Sequence, residues 1–223
     1  GLHENNHPAH RRSCLQHCRR GYRVTALATG YELELDNKYI MSPKDLCTIE
    51  FLDKMAAAGV SVFKIEGRAR PAEYVQKVVS AYRAAADAVE AGTFTQEFGG
   101  SFRGQLSQVF NGGFWDGYYQ GARLGEWSSV YGSSATMKKV YAGKVNNYFS
   151  NLGVAEIIVE AAPRKGGQHI LSIGPTTGVV EMDIPEIRVD LIPAQSAAQG
   201  VACSIPVPAR VRRADKVYIF EHK

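Results

Sequence analysis

The chain has 223 residues, 45% of them hydrophobic and 22% charged, a composition typical of globular proteins that bury a core without disulfide bonds. The net charge of +4 is too small to indicate a polyanionic partner by itself. No apolar run is long enough to span a membrane, and the basic, polar first 20 residues contain no apolar secretory segment, so we expect a cytoplasmic protein.

The first predicted elements are short strands. Alternating residues in 22–29 and 31–35, separated by Gly30, predict a β-hairpin, and residues 38–41 predict one more short strand. The chain begins with Gly1 rather than Met, and we expect it to be the C-terminal portion of a longer protein.

Helices and strands alternate in the next part of the chain. Pro43 and Asp45 suit the first turn of a helix over residues 43–58, residues 60–65 predict a strand, and residues 71–91 predict a longer helix. The order strand, helix, strand, helix favours βαβ units and a parallel sheet. The apolar face predicted for the longer helix consists of Val75, Val78, Val79, Tyr82, Ala86 and Val89.

The remainder of the chain changes from mixed to all-β character. Residues 93–125 are rich in glycine and aromatics and predict irregular structure with a short helix near 105–110, and residues 126–137 predict a linker. We therefore expect domains at 1–125 and 138–223, the second a small β-barrel or sandwich. Its predicted strands are 140–145, 154–160, 169–173, 178–184, 187–191, 201–205 and 216–220.

Three cysteines near the start of the chain predict a metal site. Cys14 and Cys18 are four positions apart, and Cys47 follows 29 positions later, in the first turn of the predicted helix, where the helix dipole stabilises a thiolate. Thiolates suit iron–sulfur clusters or zinc, and ordinary thiols are the alternative. Cys203, alone in a β segment, predicts a small core residue. Histidines that could complete a zinc site are His3, His7, His10 and His17.

The segment around Lys64 is the candidate catalytic motif. If residues 60–65 form a strand, Phe63 and Ile65 share one face and Lys64 and Glu66 share the other. In an α/β barrel that second face points into the barrel interior, and Arg68 would reach over the open end of the barrel where the active site lies. A purely structural Lys64–Glu66 ion pair with Arg68 as a cap is the alternative.

Two further features suggest nucleic-acid contacts. Basic residues cluster at both ends of the chain, which is compatible with an RNA partner, although solvated surfaces are the alternative. The aromatic and glycine-rich residues 110–119 could stack on bases, although packing is the alternative. The candidate RNA-binding residues are Arg11, Arg12, Arg19, Arg20, Arg212 and Arg213.

Several of these segments together resemble peptidase family U32, the collagenase-like proteases, and the resemblance covers nearly the whole chain. The segments that carry it are residues 14–20, 41–47, 64–68, 73–75, 110–117, 141–145, 174–178 and 212–218. The resemblance implies the C-terminal part of a modified (βα)8 barrel of the TIM type, followed by a small β-barrel similar to that of translation factors.

The resemblance also implies what the protein does. Some members of the family are peptidases, and others are iron–sulfur proteins that hydroxylate tRNA or ribosomal RNA with prephenate as co-substrate. In that group four cysteines hold a four-iron, four-sulfur cluster; Cys14, Cys18 and Cys47 match three of them, and the fourth lies upstream of Gly1. We expect RNA hydroxylation, with a peptidase acting on peptide substrates and a non-catalytic RNA- or protein-binding module as alternatives, and with zinc as the alternative metal.

Overall fold

A computed structural model of the protein describes residues 21–35, 43–68, 70–109, 111–122, 125–128, 133–161 and 164–223. The chain divides into two compact units, Gly1–Ala135 and Thr136–Lys223. None of the helices in these described ranges has the length and hydropathy that a membrane crossing requires. The strand predicted at residues 38–41 lies outside the described residues.

The first unit begins with the predicted hairpin. Strands β1 (Tyr22–Thr25) and β2 (Glu32–Leu35) pair antiparallel, which confirms the prediction. The backbone amide of Ala26 donates to the carbonyl of Tyr31 at 2.8 Å and closes the loop. Alternation and a central glycine were therefore sufficient to place this element.

The helix predicted over residues 43–58 begins later than expected. Strand β3 (Asp45–Leu46) instead pairs in parallel with β4 (Phe114–Trp115), and α1 covers only Leu52–Ala57 after a 3₁₀ turn at Ile49–Phe51. The amide of Cys47 donates to the carbonyl of Trp115 at 2.8 Å, so the backbone of residues 45–47 is hydrogen-bonded to β4 and not within a helix. The prediction was wrong because a tertiary pairing overrode a local helix-start pattern.

Residues 60–67 form no strand, which corrects the second prediction in this region. They run extended, and none of the described residues forms a ladder with them, so the described part of the chain supplies no strand hydrogen bonds to them. The predicted alternation nevertheless holds, because Phe63 and Ile65 pack against the core of the unit. On the other face Val62 is 82% exposed.

The longer helix, α2 (Ala72–Glu90), is confirmed, with Pro71 at its N-cap. Its buried face differs in part from the prediction, since Val79 is 44% exposed and two alanines lie in the core instead. Short helices α3 (Gln96–Ser101) and α4 (Arg103–Gln108) follow, and α4 confirms the helix predicted near 105–110. The buried core of the unit comprises Cys47, Ile49, Leu52, Val78, Ala81, Ala85 and Leu106.

The second unit is a large antiparallel sheet, and all seven of its predicted strands are confirmed to within a few residues. The sheet order is β11-β10-β13-β6-β5-β14-β8-β9, and β12 pairs separately with β7. The strands are β5 (Met137–Phe149), β6 (Val154–Val159), β7 (Arg164–Lys165), β8 (His169–Gly174), β9 (Gly178–Asp183), β10 (Ile187–Val189), β11 (Ile192–Ala194), β12 (Ser196–Ala197), β13 (Ala202–Pro206) and β14 (Lys216–His222).

One face of this sheet encloses a single core. In β6, Ala155, Ile157 and Val159 are buried and alternate with more exposed neighbours, as the sequence predicts. Met182 from one end of the sheet and Ile187 from near the other belong to the same buried cluster, so the sheet curls around it. Cys203 lies in this cluster, which confirms its role as a small core residue.

Candidate active-site cavity

A cavity of about 500 Å3 in the first unit is the candidate active site. Three elements form its walls: β3, the extended residues 60–66 and the first turns of α2. Apolar side chains such as Val78 supply part of the lining, and polar side chains supply the rest. The polar side chains that line the cavity are Asp45, Thr48, Lys64, Glu66, Arg70, Tyr74, Tyr82 and Tyr119.

An ion pair between Asp45 and Arg70 fixes one wall of the cavity. Arg70 Nη2 lies 2.7 Å from Asp45 Oδ1, and the other carboxylate oxygen accepts the amide of Gly112 at 2.8 Å. Both side chains are largely buried, so water screens the pair only in part. The guanidinium also lies 5.1 Å from the ring centre of Tyr74. Burial raises the pKa of Tyr74, although the charge of Arg70 opposes the rise.

The predicted catalytic residues line the same cavity. Lys64 and Glu66 occupy alternate positions of the extended segment and are both exposed, which differs from the buried ion pair of the structural alternative. Glu66 Oε1 accepts the backbone amide of Arg68 at 2.7 Å, and this bond shapes the exit of the segment. Arg68 is exposed and does not line the cavity. Their catalytic roles stay a prediction.

Tyr82, which also lines the cavity, joins α2 to the chain beside Cys47. Its hydroxyl accepts the backbone amide of Thr48 at 2.9 Å and lies 3.3 Å from the Thr48 hydroxyl. It donates to the sulfur of Cys47 at 4.0 Å. Burial, followed by the neighbouring Cys47, raises the pKa of Tyr82 to about 12. The phenol therefore keeps its proton at neutral pH and directs it at the sulfur.

The predicted metal ligands can be compared with the structure only at Cys47. Cys14 and Cys18 lie outside the described residues. Cys47 is buried and precedes the 3₁₀ turn by two positions, so it does not lie in the first turn of a helix as predicted. A buried sulfur that receives an O–H donor suits a thiolate ligand. Among the described residues no three His, Cys, Asp or Glu side chains converge, so the ligand set stays a prediction.

The candidate RNA-binding arginines fall into two groups. Arg11, Arg12, Arg19 and Arg20 lie outside the described residues. In the second unit Arg212 donates through Nη1 to the hydroxyl of Thr177 at 3.2 Å, and its amide donates to Asp215 at 2.7 Å. Arg213 beside it is exposed. The loop before β14 thus holds one arginine in place and exposes the next, and RNA contact stays a prediction.

Sequence reasoning missed several residues that shape the cavity. Asp45 was interpreted as part of a helix start, and Arg70 lies two residues beyond the Lys64–Arg68 segment. Tyr74 and Tyr82 line the cavity from α2. Periodicity places Tyr82 in the apolar face of this helix and assigns no role to its hydroxyl. Two hydroxyl-bearing side chains about two turns apart on the buried face of a helix were the feature of the sequence that could have indicated them.

Comparisons with known proteins agree on a family. The model of Peptidase family U32 matches residues 2–129. A collagenase from Porphyromonas gingivalis is 51% identical over 222 residues, which cover 100% of this chain and 54% of that protein. An uncharacterized protease from Methanocaldococcus jannaschii is 33% identical over 213 residues, covering 93% of this chain and 52% of that protein.

More distant similarities extend to RNA modification. The tRNA hydroxylation protein P of Haemophilus influenzae is 28% identical over 123 residues, which cover 55% of this chain and 26% of that protein. The solved C-terminal domain of a U32-family protein from Geobacillus thermoleovorans superposes with a TM-score of 0.34 at 16% identity, covering 35% of this chain and 89% of that domain.

The chain spans about half the length of the collagenase and of the archaeal protease that it matches. The family match itself covers more than half of the chain, residues 2–129, and lies within the first unit. This protein therefore belongs to peptidase family U32.

Proposed function

We propose that this protein acts in the iron–sulfur-dependent hydroxylation of tRNA or ribosomal RNA. The observation that carries the proposal is the cavity that Lys64, Glu66 and the Asp45–Arg70 ion pair line together. Ammonium and guanidinium groups bind anionic substrate groups, and a carboxylate at the surface of the cavity can accept a proton. Relatives named tRNA hydroxylation proteins, from Haemophilus influenzae and Bacillus subtilis, support this choice.

The proposal includes a four-iron, four-sulfur cluster held by Cys14, Cys18, Cys47 and a further cysteine upstream of this sequence. Such a cluster supplies one-electron chemistry when it is bound. Cys47 suits the role because its sulfur is buried and accepts the Tyr82 hydroxyl. The Tyr82 side chain would hold Cys47 in place in the assembled site. Zinc is the alternative occupant of the same ligands.

The proposal also includes a barrel. We infer that the first unit is the last part of a modified (βα)8 barrel, in which residues 60–67 become a central strand. The parallel pair of β3 and β4 supports this inference, as does the exposed face of the extended segment that carries Val62, Lys64 and Glu66. A strand at this position would direct Lys64 and Glu66 into the barrel interior. The translation-factor-like β-barrel proposed for the second unit would then present Arg213 to RNA.

The experiment compares RNA from cells that carry and lack the gene. Nucleosides from total tRNA and ribosomal RNA are separated by chromatography and identified by mass spectrometry. We expect one nucleoside that carries an added oxygen atom to be absent from cells that lack the gene. Complementation by Lys64→Ala or Glu66→Gln should fail. Complementation by Lys54→Ala, an exposed lysine of α1 outside the cavity, should succeed. An unchanged nucleoside profile would overturn the proposal.

The cluster is assayed separately. Protein purified without oxygen is analysed for iron and acid-labile sulfide, and the same analysis is made on Cys47→Ser and Cys203→Ser. We expect metal in the wild type and in the Cys203 variant, because Cys203 lies in the core of the second unit. Zinc in place of iron would assign the alternative metal.

Peptide-bond hydrolysis is the second candidate function. The 51% identity with a collagenase from Porphyromonas gingivalis favours it. Residues 60–67 favour it too, because none of the described strands pairs with them and an extended peptide could join them as a strand. Gelatin and denatured collagen are the substrates to test with protein free of contaminating proteases. Turnover that Glu66→Gln abolishes, with no change in cellular RNA, would replace the first proposal by this one.

A further inference from the structure

The loop before β14 carries more positive charge than its own carboxylate balances. We call residues 210–216 the cationic loop; its cations are Arg210, Arg212, Arg213 and Lys216, and its one carboxylate is Asp215. Asp215 is buried and accepts the backbone amide of Arg212 at 2.7 Å, so this carboxylate is used inside the loop. The cations outnumber it by three.

Carboxylates of the second unit neutralise cations elsewhere but not in the cationic loop. Among the described residues, none of the carboxylates forms an ion pair with Arg210, Arg213 or Lys216. The guanidinium of Arg212 donates to the neutral hydroxyl of Thr177 at 3.2 Å. The loop therefore presents charge of one sign, which attracts anions. The strand cations that do form ion pairs are Lys138 with Glu221, Lys144 with Glu160 and Arg188 with Glu186.

The pairing of β14 with β5 places two lysines directly opposite each other. Lys216 is the register partner of Lys144 in this antiparallel pair. Like charges in such positions destabilise a sheet. Glu160 compensates the ammonium of Lys144 at 2.7 Å, but the side chain of Lys216 is exposed and forms no ion pair with the described carboxylates. A bound anion would relieve the remaining repulsion.

The backbone of the cationic loop is held in one conformation. The amide of Ala214 donates to the carbonyl of Val145 at 2.9 Å, and the amide of Val145 donates to the carbonyl of Asp215 at 2.9 Å. Ala214 has a φ of +71°, which residues with a side chain seldom adopt. Gly174 leaves room for the Asp215 carboxylate, since a Cβ there would lie 1.8 Å from Oδ1. The loop is therefore preorganised, and binding costs it little conformational entropy.

The surface of the cationic loop offers charge and hydrogen-bond donors but no large apolar side chain. Its one valine, Val211, is buried, and the exposed side chains are Arg210, Arg213, Ala214 and Lys216. Protein partners are bound through apolar and aromatic side chains at the centre of an interface, and membrane-surface segments insert apolar side chains into lipid. The backbone of RNA repeats a phosphate charge at every nucleotide and is bound by lysine and arginine alone.

We propose that the cationic loop is a binding site for the sugar–phosphate backbone of the RNA substrate. The choice of RNA rests on the proposed function, and the inference adds to it a contact in the second unit that recognises phosphate and not base sequence. Arg213 and Lys216, which are exposed, are the side chains that contact phosphates.

The salt dependence of RNA binding tests this site. A fluorescently labelled tRNA transcript is titrated with the full chain at several sodium chloride concentrations, and binding is followed by fluorescence anisotropy. Each phosphate contact contributes about 0.7–0.9 to the slope of log affinity against log salt concentration. Arg213→Gln and Lys216→Gln should each reduce the slope by about one contact. A transcript of unrelated sequence should bind equally well, because phosphates carry no sequence information.

Arg188→Gln is the matched control. It removes the same charge from the same unit, but Arg188 is paired with Glu186 on β10, four strands from β14 in the sheet order. General attraction between a basic protein and RNA would make the three variants equal, whereas a local site leaves the slope of Arg188→Gln at the wild-type value. Circular dichroism melts establish that every variant folds.

The outcomes separate this inference from the proposed function. If the full chain does not bind RNA, if the two loop variants keep the wild-type slope, or if Arg188→Gln loses as much as they do, the inference is overturned. Polyglutamate or anionic phospholipid vesicles that compete as well as unlabelled RNA would also overturn it, because the loop would then not be an RNA site. Hydroxylation is decided by the nucleoside comparison: an unchanged nucleoside profile with loop-dependent RNA binding would remove hydroxylation and retain this site.

Discussion

The hydroxyl of Tyr82 accepts the backbone amide of Thr48 at 2.9 Å and donates to the sulfur of Cys47 at 4.0 Å. One phenol thus connects the middle of α2 to the segment that precedes the 3₁₀ turn. The contact places the only described candidate ligand beside the wall of the cavity, and it makes Tyr82 a residue whose loss can be measured.

Replacing Tyr82 by phenylalanine should destabilise the first unit by about 1–3 kcal/mol. The change leaves the buried Thr48 amide without an acceptor while the ring still fills its place. Urea unfolding followed by circular dichroism measures the loss. Tyr31→Phe, at an exposed position, is the control and should leave the midpoint unchanged. Equal midpoints for Tyr82→Phe and wild type would show that water replaces the hydroxyl.

The Asp45–Arg70 pair should show a coupling free energy on the order of 1 kcal/mol in a double-mutant cycle. Asp45→Asn, Arg70→Gln and the double variant are compared by urea unfolding, and partial burial of both groups gives the coupling its size. The exposed Arg83–Asp87 pair on α2 should couple more weakly, because water screens it. Coupling no greater at Asp45–Arg70 than at Arg83–Asp87 would contradict a fixed ion pair in the cavity wall.

The second unit should lose stability as the pH rises through the pKa of His169. Burial lowers that pKa, but the bonds to Asp183 at 2.7 Å and Glu181 at 2.8 Å outweigh burial and raise it. Because the folded pKa lies above the unfolded value of about 6.5, the contribution is complete below that pH and disappears as pH passes the folded pKa. Melting temperatures measured across this range test it.

His169→Gln provides the control for that pH dependence. Glutamine does not titrate, so the decline in melting temperature above pH 6.5 should become shallower in the variant. The facing groups on the neighbouring strands are the two carboxylates of β9 and the ring of Phe220 on β14, which lies 6.0 Å from the imidazole. An identical pH profile in wild type and variant would assign the dependence to other groups.

Gly143→Ala should destabilise the second unit by about 3 kcal/mol or more. A Cβ at this position would lie 2.0 Å from the carbonyl oxygen of Ile158 on the neighbouring strand, and backbone cannot move aside as a side chain can. Gly166→Ala has open space around the added carbon and should change the unfolding free energy by less than about 0.5 kcal/mol. Similar costs at both positions would mean that β5 shifts to admit the methyl group.

Amides of residues 62–66 should exchange hydrogen quickly in this chain. No described strand pairs with them, whereas the amides of Val78–Ala85 are bonded within α2. Hydrogen exchange followed by mass spectrometry of peptides from both regions compares them directly. Strong protection of residues 62–66 would show that this segment is already paired, and it would contradict the unpaired edge described here.

Local pattern was enough to predict much of this molecule. Alternation of apolar and polar residues placed the hairpin of β1 and β2 and the seven longer strands of the second unit, because burial on one face of a sheet repeats every two residues. Pro71 before α2 and Gly92 after it predicted where the longest helix begins and ends. Lys64 and Glu66 were identified as a pair on one face, and they line the cavity.

Tertiary structure decided what those patterns left open. The sequence by itself determined most of the elements, although not those of residues 43–67, and it determined the chemistry available: thiols, cations, carboxylates and aromatic rings. Only the fold decided that Asp45 belongs to a strand paired with Phe114, that Arg70 closes on it, and that Tyr119 borders the same cavity. Those relationships join residues far apart in the chain, and no local period encodes a contact whose two partners are separated by tens of residues.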